Sequence, residues 1–75
     1  MELAPDQRLR LETSRDQVVS VAEGVLYVVI GENEAVLTAG DSIAIAAGEQ
    51  ARAWNGGDET ARVEIRAQRT LRLAA

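Results

Sequence analysis

The groups able to do chemistry in this chain are twelve carboxylates, eight cationic side chains that are all arginines, and one tyrosine; histidine and cysteine are absent. Without imidazole, thiol or lysine amine there is no base, nucleophile or Schiff-base former of the usual kinds. Two carboxylates can do general acid/base work, but only where a sheltered pocket drives their pKa values apart. Nearly all the acids here fall in turn signals or on the polar phase of alternating segments. Glu12, Glu64, Arg8, Arg10, Arg62, Arg66 and Arg72 read as a solvated exterior with cross-strand charge pairs. No catalytic residue is assigned, and an enzyme is the less favoured expectation.

A second set of residues is informative through its spacing. Gly40, Gly48 and Asn55 are separated by seven and six residues, with Ala46 and Ala51 between them. Gly40 and Gly48 suit tight turns that need positive φ, and Asp41 can bond back to turn amides. The phrase Trp54-Asn55-Gly56-Gly57-Asp58-Glu59 adds a further turn.

The elements that position these residues read as strands. Period-2 alternation runs through Arg8-Leu9-Arg10-Leu11-Glu12-Thr13, Arg62-Val63-Glu64-Ile65-Arg66 and Thr70-Leu71-Arg72-Leu73, while helical periodicity is nowhere sustained. Glycine-punctuated turn signals at intervals of roughly eight to ten residues point to an all-β sandwich or barrel. Strands are expected near 7–13, 16–22, 24–30, 35–38, 42–46, 50–55, 59–67 and 69–74. Leu9, Leu11, Val19, Val21, Leu26, Val28, Ile30, Leu37, Ile43, Ile45, Val63, Ile65, Leu71 and Leu73 are expected to face inward.

Composition sets outer bounds. Seventy-five residues make one domain at most, expected over residues 1–75. A chain this short hides only about 60% of its unfolded surface. Disulfides and the common zinc sites are excluded by residue type, which leaves oligomerisation as the open support for a thin core. The net charge is −4, and arginines spread along the chain form no basic stripe, so nucleic acid is not an expected partner. The longest apolar run, Val25 to Ile30, is far short of the roughly 20 residues of a membrane helix, and no signal pattern opens the chain. A soluble, cytoplasmic protein without membrane association is expected.

The stretch from Gln17 to Ile65 resembles a small single-domain cupin, a jelly-roll-like β-barrel. Gly40, Gly48 and Asn55 match the signature G(X)5PXG(X)2H(X)3N, with Ala46 in place of its proline and Ala51 in place of its histidine. The other signature, G(X)5HXH(X)3,4E(X)6G, ends on Gly24 and sets Gln17 at the acidic ligand. Its two histidines become Leu11 and Thr13, or Arg10 and Glu12 with the alternative spacing; Leu11 and Thr13 share the phase of Leu9 and are preferred. The resemblance thus implies a cupin-like barrel of about eight short antiparallel strands whose four metal positions hold Leu11, Thr13, Gln17 and Ala51. Such a set offers one hydroxyl, one amide and no charge, so no metal and no cofactor is expected.

Three roles are then weighed. Leu11, Thr13, Gln17, Ala51 and Asn55 are candidates to line a site for a small neutral or polar metabolite. Thr13 and Gln17 can equally satisfy each other or a buried water, and Asn55 can serve its own turn. Val25, Tyr27, Val29 and Trp54 are interface candidates, because both faces of Val25 to Ile30 are apolar and both need cover. A second copy of the chain is favoured over a terminal segment such as Met1 to Pro5 or Leu73 to Ala75, and Trp54 is either an interface anchor or a lid over a neighbouring strand. The favoured reading is a metal-free small-molecule binding or structural protein that forms a homodimer. The alternatives are a dimeric interaction module and, less favoured, a metal-independent isomerase or lyase.

Overall fold

The computed structural model describes residues 1–67 apart from Thr13. Eight strands follow one another: β1 (Glu2–Leu3), β2 (Arg8–Glu12), β3 (Gln17–Glu23), β4 (Val25–Ile30), β5 (Asn33–Thr38), β6 (Ser42–Ile45), β7 (Gln50–Asn55) and β8 (Ala61–Ala67). They form two four-stranded sheets, ordered β1-β8-β3-β6 and β2-β7-β4-β5, and every pairing is antiparallel. The expected all-β jelly roll is therefore present.

Alternation explains the layering. In β7 Ala51, Ala53 and Asn55 are buried and Gln50 and Arg52 exposed; in β4 Leu26, Val28 and Ile30 are buried while Val25, Tyr27 and Val29 are half-buried. The apolar phase of each strand meets between the sheets, where Leu3, Leu11, Val19, Val21, Leu26, Val28, Ile45 and Val63 join one cluster. Each fully buried Leu, Ile or Val stabilises by about 1.5–3 kcal/mol. Both aromatic residues lie on the outside, so the core is aliphatic.

Three of the turns share one construction. In Ala4–Gln7, Thr38–Asp41 and Ala46–Glu49 the fourth N–H donates to the first carbonyl at 3.0, 2.9 and 3.1 Å. The fourth side chain accepts from the first N–H at 2.9, 2.9 and 3.0 Å in return. The third residues, Asp6, Gly40 and Gly48, have φ of 66°, 94° and 85°, as a type II turn requires. A strand starts at the next residue in each case, namely β2, β6 and β7.

Seven strands lie within a few residues of the sequence reading. The strand expected near 69–74, with Leu71, Leu73 and Arg72, lies outside the described residues. β1 was not expected: the Met1 ammonium donates to the Val63 carbonyl at 3.0 Å, the Val63 N–H donates to the Met1 carbonyl, and Leu3 is buried. Leu9, Ile43 and Ile65, expected inside, are only partly buried. Leu9 and Ile43 sit on the edge strands β2 and β6, and Ile65 lies beyond the two residues of β8 that β1 covers.

The exterior charges also depart from expectation. Arg62 does pair across strands, with Glu2 at 3.9 Å and Glu23 at 3.8 Å, both its register partners. Arg66 instead pairs with Glu64 on its own strand. Arg8 and Arg10 make no ion pair among the described residues.

Candidate functional site

Leu11 on β2 faces Ala51 on β7, and Ala51 in turn faces Ile30 on β4. This row lies on the inner surface at one end of its sheet, with Leu11 7%, Ala51 0% and Ile30 9% exposed. Leu11 faces inward, whereas Arg10 and Glu12, the alternative pair at the histidine positions, point outward and are exposed. Gln17 opens β3 in the opposite sheet, opposite Ile45 and in phase with the buried Val19 and Val21. Only residues 13–16 join β2 to β3, which brings Gln17 to the same end of the barrel as Leu11. Asp16 closes that end by accepting from the Ala47 N–H at 2.8 Å. Thr13 lies outside the described residues.

Among the described residues the corner so formed is apolar apart from one amide. Gln17 Oε1 is buried and has no hydrogen-bond partner among the described residues, and a buried acceptor left unmade costs about 1–3 kcal/mol. A donor from a small molecule or a water would recover that cost. A divalent metal does not fit the described positions: Leu11 and Ala51 offer no donor atom, and one amide oxygen is too few. No group of three or more His, Cys, Asp or Glu residues lies together among the described residues.

Asn55 stands apart from this corner. Four residues of extended strand, roughly 13 Å, separate it from Ala51. Its side chain is 2% exposed, with Nδ2 donating to the carbonyls of Leu3 at 2.9 Å and Glu59 at 2.7 Å. Its Oδ1 accepts from the Gly57 N–H at 2.8 Å. The local turn role is therefore present, extended by a tie to β1 that sequence spacing does not reveal.

The four interface candidates share the outer face of the sheet β2-β7-β4-β5. Register sets Arg8, Trp54, Tyr27 and Val36 in one row across it, and Arg10, Arg52, Val29 and Glu34 in the next. The rings of Trp54 and Tyr27 stand 5.8 Å apart at 56°, and both residues are half-buried. A Cβ on Gly56 would fall within the Tyr27 ring, so glycine there lets the turn lie against the tyrosine. Val25 and Val29 are half-buried too, whereas Val36 is 56% exposed. Trp54 and the Gly56-Gly57 turn give β4 part of its outer cover. Met1 to Pro5 gives none, because β1 pairs with β8 in the other sheet; Leu73 to Ala75 lies outside the described residues.

Hollows open on this face among the described residues. One of about 240 Å³ is lined by Tyr27, Val29, Ala35, Val36 and Trp54. A second of about 510 Å³ lies against Arg8, Arg10, Glu34, Arg52 and Trp54, and a third of about 390 Å³ adjoins it at Arg10, Glu12, Gln50 and Arg52. Sequence reasoning missed this gathering of arginines. The signal was Arg8-Leu9-Arg10 beside Arg52-Ala53-Trp54, but only the β2–β7 register sets the two segments side by side.

Among known structures the chain is similar to TT1209 from Thermus thermophilus, with a TM-score of 0.78 and 27% identity over 85% of this chain and 63% of that one. The Drosophila melanogaster CENP-C cupin domain superposes with a TM-score of 0.82 at 22% identity, over 91% of this chain and 57% of that one. A recombinant oxalate oxidase in complex with glycolate gives 0.76 at 22% identity, over 85% and 37%. The last two likenesses concern the fold alone, and the chain spans less than two thirds of each of these structures. No curated protein sequence is a match. The family model described as a cupin domain matches residues 1–65, and with eight antiparallel strands in two sheets, the chain belongs to the cupins.

Proposed function

We propose that this cupin is a non-catalytic, metal-free binding barrel that takes a small neutral or polar metabolite at the corner beside Leu11, Gln17 and Ala51. One observation carries the reading: Gln17 Oε1 is a buried acceptor with no partner among the described residues, beside its register partner Ile45 and at the end of the barrel where the row Leu11, Ala51 and Ile30 forms an apolar wall. Such a wall suits a ligand with an apolar body and one hydrogen-bond donor. The absence of histidine, cysteine and lysine from the sequence supports binding over catalysis. The isomerase or lyase reading needs a sheltered carboxylate, and no described carboxylate is buried.

Thermal melting against a metabolite panel tests this directly. A ligand at one hundred times its Kd stabilises the folded form by about 2.7 kcal/mol. The expected hit carries an N–H or O–H donor and loses its effect in Gln17→Leu. A hit that stabilises Gln17→Leu equally would remove the corner as its site.

A second reading, the homodimeric interaction module, draws on Val36, which stands exposed beside the Tyr27–Trp54 pair. A second copy laid over this strip would complete the cover of Val25, Tyr27 and Val29. A Drosophila CENP-C structure bound to CAL1 has this fold at a TM-score of 0.82, so such barrels occur in protein complexes. Sedimentation at micromolar concentration is expected to show a dimer that Val36→Glu dissociates, and a monomeric wild type would end the reading.

A further inference from the structure

Arg10 and Arg52 are direct cross-strand partners, with Arg8 two residues along β2 and Trp54 facing it. Like charges opposed in this way weaken a sheet. In a chain with twelve acids and a net charge of −4, carboxylates are plentiful, yet Glu2, Glu23 and Glu64 serve Arg62 and Arg66. Among the described residues Arg8, Arg10 and Arg52 have no ion-pair partner. Glu34, the one acid lining the same hollow, lies across Val29 from Arg52 and makes no ion pair with it. Three exposed guanidinium groups against one carboxylate thus line, with no ion pair formed, a hollow of about 510 Å³, within the size range of small-ligand sites.

We propose that this groove binds a small organic oxyanion, a phosphate or carboxylate carried on a flat ring. The guanidinium forks of Arg10 and Arg52 match the oxygens of such a group. Trp54, held in tilt against Tyr27, supplies a wall for the ring. The bound anion neutralises the opposed pair, so a feature that weakens the free sheet becomes a source of affinity. This site lies on the outer face and is independent of the Gln17 corner.

Trp54 is the chain's sole tryptophan, so its emission reports on the groove. Titration with phenyl phosphate at low ionic strength is expected to change that emission saturably, with inorganic phosphate binding more weakly and phenol not at all. Arg10→Gln and Arg52→Gln should each weaken phenyl phosphate by about tenfold while raising the melting temperature of the free protein. Arg62→Gln and Gln17→Leu should leave the affinity unchanged, which separates this site from the corner. Phenol binding as tightly as phenyl phosphate, or full affinity in both groove variants, would overturn the proposal. So would a dimer that the groove variants dissociate in a protein that phenyl phosphate does not saturate, because an acidic segment of a second copy would then be the occupant.

Discussion

Asn55 Nδ2 donates to the Leu3 carbonyl at 2.9 Å, a buried bond between residues 52 positions apart. It fastens the end of β7, in one sheet, to β1 on the edge of the other. The same amide spans its own turn by reaching Glu59 and Gly57, so one side chain holds three backbone groups.

Replacing Asn55 by alanine removes these three bonds, and Asn55→Ala is expected to lower stability by about 2–4 kcal/mol. Asn55→Asp should cost more at neutral pH, because a carboxylate would face two carbonyl oxygens. Protonation gives that carboxyl one donor back. Its folded pKa is therefore raised, and the variant's stability is greatest in acid and declines as pH rises through that value. Urea melts of both variants between pH 3 and 7 check this, and equal, pH-independent losses would contradict the clamp.

Gly56 lies so close to Tyr27 that a methyl group would overlap the ring. Gly56→Ala is expected to push Tyr27 off Trp54, with a cost of about 1–3 kcal/mol and a change in Trp54 emission. Tyr27→Ala should remove most of that cost in the double variant, since the two substitutions act through one contact. Additive losses would place the strain elsewhere.

Asp41 accepts from both the N–H and the hydroxyl of Thr38, and the backbone bond first, then the hydroxyl, hold its carboxyl below the ordinary aspartate value. A lowered folded pKa means that the charged form favours the native state. This contribution is present above the unfolded value, about 3.9, and is lost as pH falls through the folded one. Carboxyl NMR should show Asp41 titrating below the ordinary aspartate range, and Asp41→Asn should flatten that part of the acid limb of the stability curve. Titration of Asp41 at its ordinary value would show that the turn gains nothing from the charge.

What alternation and glycine spacing encode was legible: seven strands, the inward phase of residues such as Leu11, Val28 and Val63, and the Gly40 and Gly48 turns. Two residues are too few for a periodic signal, so β1 and the burial of Leu3 were not visible. The arginine groove was missed for another reason. Arg8, Arg10 and Arg52 each look solvated in their own strand, and their convergence is a product of register between segments about 40 residues apart. Asn55 was legible as a turn residue but not as a tie between sheets, because its partner Leu3 belongs to the unseen strand.

That Leu11 and Ala51 offer no ligand atom can be tested by supplying the ligands. Leu11 and Ala51 are direct cross-strand partners, which sets their Cβ atoms about 4.5–5.5 Å apart. Imidazoles at both positions can therefore meet at one ion with Zn–N distances of about 2.0–2.1 Å. Gln17, from the facing sheet, supplies a third ligand once changed to glutamate. The triple variant L11H/Q17E/A51H is expected to melt below the parent without metal, since it buries a charge and overfills the place of Ala51. Zn²⁺ should then raise its melting temperature, and chelation should reverse the gain. The parent should show no response, because two of these three positions offer no ligand atom. A parent that Zn²⁺ stabilises as strongly as the triple variant would mean that this corner is not where the barrel holds its ion.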